Sequence, residues 1–231
     1  MKTIGLIGGM SWESTAHYYA IINRETAQRR GGLHSAPILL HSVDFAPIEA
    51  LQRQGAWAEA GEHLAGIARR LQGAGAGLIG LCTNTMHLCA PTIVSALSVP
   101  FIHIADPTAD ALLADGLTTV GLLGTRFTME QSFYADRLRA RGLTVLTPDV
   151  GITNLDGIIY AELCRGIVTE PSRQIYVEAI ARLKARGAEA VILGCTEIGM
   201  LIDDSVSPLP TYDTTALHAV ALVDAALRHE L

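Results

Sequence analysis

At 231 residues, with 49% hydrophobic and 17% charged side chains, the chain can bury a sizeable core and does not have the composition of a disordered segment. A net charge of −6 argues against a nucleic-acid partner, which needs clustered Lys and Arg. No apolar run approaches the roughly 20 residues that cross a bilayer, so no membrane partner is expected either.

In chain order, β-branched or Leu-rich runs alternate with longer helical stretches. A strand at 3–7 precedes a helix at 14–29. Strands at 37–43 and 77–82 bracket a helix at 57–73, and a strand at 99–103 leads to a helix at 107–114. The second half continues with a strand at 118–123, a helix at 128–141, a strand at 143–147, helices at 154–165 and 171–186, a strand at 189–193 and a helix at 214–229. Ser14, Thr128, Asn154, Ser172 and Thr214 suit helix N-caps, and Gly142 and Gly187 suit helix ends. Strands separated by helices predict parallel βαβ units, with ligands at the carboxyl ends of the strands.

The chain also echoes itself. Ile4-Gly5-Leu6-Ile7-Gly8 is similar to Val120-Gly121-Leu122-Leu123-Gly124, and the run ending at Cys82-Thr83 is similar to the run ending at Cys195-Thr196. The offsets are about 112 to 116 residues, which predicts two α/β lobes of one design facing each other across a cleft. The expected lobes are 1–103 with 208–231, and 104–207.

Four cysteines, Cys82, Cys89, Cys164 and Cys195, include no Cys-x-x-Cys pair, so no metal is expected. The Met1–Gly9 start is too short for a signal peptide, which leaves free thiols in a cytoplasmic protein. The strands ending at Cys82-Thr83-Asn84-Thr85 and at Cys195-Thr196-Glu197 stop abruptly at small polar residues. A helix starting after each would offer N–H groups to a carboxylate and lower the pKa of a thiol. Two such ends would place an acid/base group on each side of a bound carbon, as inversion of a stereocentre requires. Pyridoxal phosphate is not expected: the only lysines are Lys2 and Lys184, neither suited to a Schiff base. Gly8-Gly9 lacks the third glycine of a nucleotide loop.

The segments Gly5–Ser14, Cys82–His87, Gly124–Met129 and Gly194–Glu197 resemble the aspartate/glutamate racemase family of cofactor-independent amino-acid racemases. The resemblance implies two similar lobes, a homodimer, and two catalytic residues, the first in a Cys-Asn-Thr motif and the second in Cys-Thr-Glu. Cys195 matches the second, while Thr83 stands in the first position, as in a subset of the family acting on both glutamate and aspartate. By identity Cys82-Thr83 pairs with Cys195-Thr196; by the motif Thr83 pairs with Cys195. One residue reverses a strand side chain, so the readings differ in kind; the motif reading makes Cys82 a core thiol. By resemblance Met10, Gln52, Asn84, Thr85, Thr196 and Glu197 line the substrate pocket, with Thr125 close by.

Typical aspartate racemases of the family have lysine where Cys164 stands, so strict aspartate specificity is not expected; Arg126 or Arg165 could grip a side-chain carboxylate instead. A hydantoin racemase, maleate isomerase or arylmalonate decarboxylase is the alternative within the superfamily. A carboxylate-binding protein without catalysis is the alternative from another class.

Overall fold

The computed structural model describes residues 1–228. The chain forms two compact units, Met1–Ile104 together with the segment beginning at His218, and Ala105–Leu217.

The first unit runs β1 (Ile4–Gly8), α1 (Trp12–Arg30), β2 (Ile38–Ser42), α2 (Phe45–Gln54), α3 (Trp57–Gly73), β3 (Leu78–Leu81), a 3₁₀ turn (Thr85–Cys89), α4 (Ala90–Ser95) and β4 (Phe101–Ile102). The second runs α5 (Ala105–Ala114), β5 (Thr119–Gly124), α6 (Arg126–Glu130), α7 (Ser132–Arg139), β6 (Thr144–Leu146), α8 (Ile152–Ala161), a 3₁₀ turn (Leu163–Arg165), α9 (Glu170–Ala185), β7 (Ala190–Gly194), a 3₁₀ turn (Ile198–Met200) and β8 (Thr211–Asp213). A last helix, α10 (Thr214–Leu227), begins in the second unit and joins the first. Residue 229 of the predicted last helix lies outside the described residues.

Both sheets are parallel and have the same order, β2-β1-β3-β4 and β6-β5-β7-β8. This is the α/β architecture that the alternation of strands and helices predicts. Side-chain alternation builds the first unit's core on both faces of its sheet. Ile7, Ile79 and Leu81 pack with Leu64 and Ile67 of α3, whereas Ile4, Leu6, Leu78 and Cys82 pack with Tyr18 and Ile22 of α1 and with Leu222 and Val223 of α10. Each such fully buried aliphatic side chain stabilises the fold by about 1.5–3 kcal/mol.

Four differences from the sequence reading have physical causes. The caps sit one turn earlier than predicted: Ser11, Thr125 and Thr169 cap α1, α6 and α9 and accept from the N–H of Ser14, Thr128 and Ser172, the residues expected to be caps. Two hydroxyl residues three apart look alike in sequence, and the first is the cap. Gly151 likewise precedes α8 in place of Asn154, and Asp213 Oδ1 accepts from Thr215 and Ala216 at the start of α10, while Thr214 Oγ1 donates to the Leu193 carbonyl.

The α2 helix escapes the apolar pattern because its buried stripe is Ile48 and Gln52, half of it polar. The predicted helix 128–141 is two helices, α6 and α7, with extended backbone at Gln131 between them. Finally, the boundary expected at 207/208 moves to Leu217/His218. The three-residue β8 pairs with β7 through Val191↔Thr211, Ile192↔Tyr212 and Leu193↔Asp213, so it belongs to the second unit.

Among the described residues no helix is long and apolar enough to cross a membrane.

Candidate active site

Of the residues singled out from the sequence, Met10, Gln52, Thr83, Asn84 and Thr85 lie in the first unit and Thr125, Cys195, Thr196 and Glu197 in the second. All nine are buried, Thr83 and Cys195 each keeping 7% of their surface exposed.

In the second unit β5 and β7 end side by side, with Gly124 opposite Gly194. A Cβ on Gly194 would fall 2.6 Å from the Leu123 carbonyl oxygen, so only glycine lets these strand ends close up. Thr125 and Cys195 are the next residues along each strand. Thr125 caps α6, its hydroxyl accepting from the Thr128 N–H at 3.3 Å. The Cys195 thiol donates to Glu197 Oε2 at 3.0 Å, and the Thr196 hydroxyl donates to the same oxygen at 2.7 Å. Cys195, Thr196 and Glu197 thus form one hydrogen-bonded cluster, with Thr125 at the end of the neighbouring strand.

Its electrostatics correct one expectation. No α-helix begins after β7 to depress the thiol pKa; a three-residue 3₁₀ turn follows instead. Burial pushes the Cys195 thiol well above the ordinary thiol range, and the Glu197 carboxylate and the neighbouring Cys164 push it further, against an opposing hydrogen bond from the Glu197 N–H. The thiol is therefore held protonated beside a carboxylate. Tyr176, which the sequence reading passed over, is buried in the same apolar cluster as Cys195, and burial above all, with nearby carboxylates such as Glu197 adding to it, pushes its hydroxyl well above the usual range. Its hydroxyl donates to the Leu155 carbonyl at 3.0 Å. Arg126, the first residue of α6, and Arg165, on the 3₁₀ turn after α8, are both exposed, Arg126 with its guanidinium over the Phe127 ring.

In the first unit the corresponding ends are those of β1 and β3. The pairings decide the register. Ile4↔Leu78 through Ile7↔Leu81 in the first sheet correspond to Val120↔Ala190 through Leu123↔Leu193 in the second. Two residues beyond Leu81 is Thr83, and two beyond Leu193 is Cys195. Thr83 and Cys195 hold equivalent places, and Cys82 corresponds to Gly194. Cys82 itself is fully buried between α1 and α10, where desolvation pushes its thiol far above the ordinary range.

The strand also ends differently from a simple continuation. The Cys82 N–H still donates to Ile7 O at 2.9 Å, but the Thr83 N–H turns back to Leu81 O at 2.9 Å. A 3₁₀ turn, again not an α-helix, follows. Gln52 Nε2 donates to Met86 Sδ at 2.9 Å, and Met10 and Met86 share one apolar cluster with Ile48. The sequence reading gave no role to Met86 or to His87, although His87 stands four residues after Thr83.

A cavity of about 480 Å³ in the first unit, lined by His41, Asp44, Glu59 and His63 among others, contains none of the nine residues. Among the described residues no group of three or more His, Cys, Asp or Glu side chains could hold a metal ion. Lys184 Nζ donates to the Pro208 carbonyl at 2.9 Å.

A model of the Asp/Glu/hydantoin racemase family matches residues 7–222. A crystal structure of a Yersinia pestis protein assigned as an Asp/Glu racemase is 49% identical, superposes with a TM-score of 0.91, and covers 98% of this chain and 100% of its own. An aspartate racemase homologue from Pyrococcus horikoshii is 32% identical with a TM-score of 0.83, over 98% of this chain and 99% of that one. The broad specificity amino-acid racemase RacX of Bacillus subtilis is 26% identical over 165 residues, 70% of each chain. With strand ends, register and family match in agreement, the chain belongs to the Asp/Glu/hydantoin racemase family.

Proposed function

We propose that the protein is a cofactor-independent amino-acid racemase acting on glutamate, aspartate or both, by two-base proton transfer with Cys195 and Thr83 serving opposite faces of the α-carbon. The observation that carries this reading is the Cys195 thiol donating to Glu197 Oε2 at 3.0 Å. A thiol pushed up by burial and by a carboxylate is a poor base when the site is empty. The α-ammonium of a bound amino acid brings a positive charge to the couple and favours the thiolate. Glu197 is the group placed to take the thiol proton. The thiolate then removes the α-proton, and the Thr83 hydroxyl protonates the opposite face. A threonine hydroxyl is a far weaker acid and base than a thiol, so the enzyme is lopsided: exchange at one enantiomer outruns net inversion.

The absence of lysine at position 164 and the broad specificity of RacX both favour a substrate range wider than aspartate alone. Homodimer formation and a cytoplasmic location belong to the same proposal.

The test is incubation of the purified protein with L- and D-glutamate, L- and D-aspartate and a panel of other amino acids in deuterated water. No pyridoxal phosphate or metal is added, and the α-proton signal and optical rotation are followed. Loss of the α-proton with slower loss of rotation is expected. No exchange at any amino acid would overturn the reading and leave a binding protein.

A further inference from the structure

We propose that His87 is a positioning residue for Thr83, its Nδ1–H donating to the Thr83 carbonyl and fixing the peptide from which the hydroxyl projects. The proposal rests on the racemase reading above, with Thr83 serving one face.

His87 is buried on the 3₁₀ turn that follows β3. Its Nε2 lies 3.2 Å from the Ile104 backbone nitrogen and its Nδ1 2.7 Å from the Thr83 carbonyl oxygen. A backbone amide can only donate, so Nε2 must carry the lone pair. The proton is then on Nδ1, which donates to Thr83. One neighbour thus assigns the tautomer and the other uses it. The rings of His103, Phe101 and His218, with centroids at 4.5, 5.5 and 6.0 Å, wall the imidazole in.

Thr83 needs such a tether because it lies beyond the last paired residues of β3, which end at Ile7↔Leu81. Its own N–H has turned back to Leu81, and its carbonyl is therefore held by a side chain and not by the sheet. The second unit gives an independent comparison. The place equivalent to His87, four residues after Cys195, is Gly199, which has no side chain to donate. There the Cys195 carbonyl accepts from the Ile198 N–H at 3.1 Å. The histidine occurs on the side where the reacting group is a weak hydroxyl, whose aim matters most. A misplacement of about 1 Å at a reacting group can cost about a hundredfold in rate.

The test compares His87→Ala, His87→Asn and His87→Gln with the wild type, measuring exchange and inversion of glutamate and aspartate separately and the folded fraction by thermal melting. An Asn amide reaches the position of Nδ1 and keeps the donor to Thr83; a Gln carbonyl reaches the position of Nε2 and keeps the acceptor for Ile104. His87→Ala should lower inversion by roughly ten- to a hundredfold, while exchange at the enantiomer that exchanges faster in the wild type stays within about twofold. Asn should recover most of the inversion and Gln little of it. Exchange and inversion falling in step in folded protein, or equal rescue by Asn and Gln, would overturn the proposal. Nitrogen-15 spectra of the wild type read the tautomer without any variant: Nδ1–H is expected for His87, and Nε2–H would overturn the donation to Thr83. A wild type that exchanges no amino acid would instead bring down the racemase reading, and a positioning role for a catalytic Thr83 with it. His87 carrying Nδ1–H in that same inactive protein would show that the failure lay in the function and not in the geometry.

Discussion

At the end of β7, Cys195 and Thr196 both donate to one carboxylate oxygen of Glu197, and the main chain turns on its own N–H groups. At the end of β3, in the same register, Thr83 has a side chain without a carboxylate two residues on, Thr85 standing where Glu197 does, and its carbonyl is held by an imidazole. Two halves with one strand order have therefore specialised in opposite ways. On the racemase reading proposed above, one would control where the proton is and the other where the backbone is. A thiol can exchange protons once a neighbour adjusts its charge, whereas a hydroxyl cannot be tuned far and gains most from exact placement.

The largest effect expected from breaking this comparison is at Cys195. Cys195→Ser and Cys195→Ala should each lower racemisation by at least about a hundredfold, the lower end of what a positioned acid/base contributes. Thermal melting should show the fold retained. Substantial turnover by either folded variant would move the chemistry elsewhere.

Thr83 comes next. Thr83→Ala should retain exchange at the enantiomer served by Cys195 and lose most of the inversion, since only the second step needs the hydroxyl. Thr83→Cys should make the two ends more alike and raise inversion. The enantiomers are equal in energy in water, so kcat/KM must stay equal in the two directions. The gain should appear as an equal rise of kcat/KM in both directions, with any remaining difference between the directions shown by kcat and KM differing together. An inversion rate unmoved by Thr83→Cys would argue against equivalence of the two places.

Much of this was legible in the sequence. Seven strands and the repeat could be read because buried parallel strands are short apolar runs, and Cys195 and Thr83 stood at the ends of two of them. What could not be read depends on contacts. The three-residue β8 has no apolar pattern of its own and exists through pairing with β7. Gln52 hides α2 because a buried glutamine bonded to Met86 reads as solvated surface. The expected helix dipole at Cys195 gives way to Glu197 because only a 3₁₀ turn follows β7, and the carboxylate two residues along folds back on the thiol, a side-chain contact that strand and helix patterns do not carry. His87 was visible as a residue, but its role rests on Ile104, 17 positions away.

Glu197→Gln should sharpen the comparison at smaller amplitude. Removing the carboxylate removes the second-largest cause of the raised Cys195 pKa, after burial, so the thiol should ionise at lower pH. Iodoacetamide labelling of the Cys195 peptide, followed by mass spectrometry across pH, reads this directly. The labelling midpoint should move down while racemisation also falls, because the proton acceptor is lost. A midpoint that stays in place or moves up would mean that the Glu197 charge does not act on the thiol.

The smallest effect concerns Cys82, the thiol one residue before Thr83. If Cys82 is core and not chemistry, Cys82→Ala should keep inversion within about twofold, and its titration should appear only in stability. Burial raises its folded pKa far above the ordinary value of about 9. Below that value both folded and unfolded chains hold the proton, so the full contribution of the buried thiol is present. Above it the unfolded chain releases the proton while the folded chain keeps it. The unfolded state then binds fewer protons, and stability falls as pH rises, by about 1.4 kcal/mol per pH unit for one such thiol. Cys89, raised to about 11 by burial, and Cys195 add slopes of the same sign and remain in the variant. Cys82→Ala should therefore be less stable than the wild type at pH 8, through the cavity it leaves, and the gap should close on going to pH 10 in urea unfolding. Parallel stability curves would show that Cys82 does not titrate as a buried core thiol, and loss of inversion in the folded variant would hand the first catalytic place to Cys82.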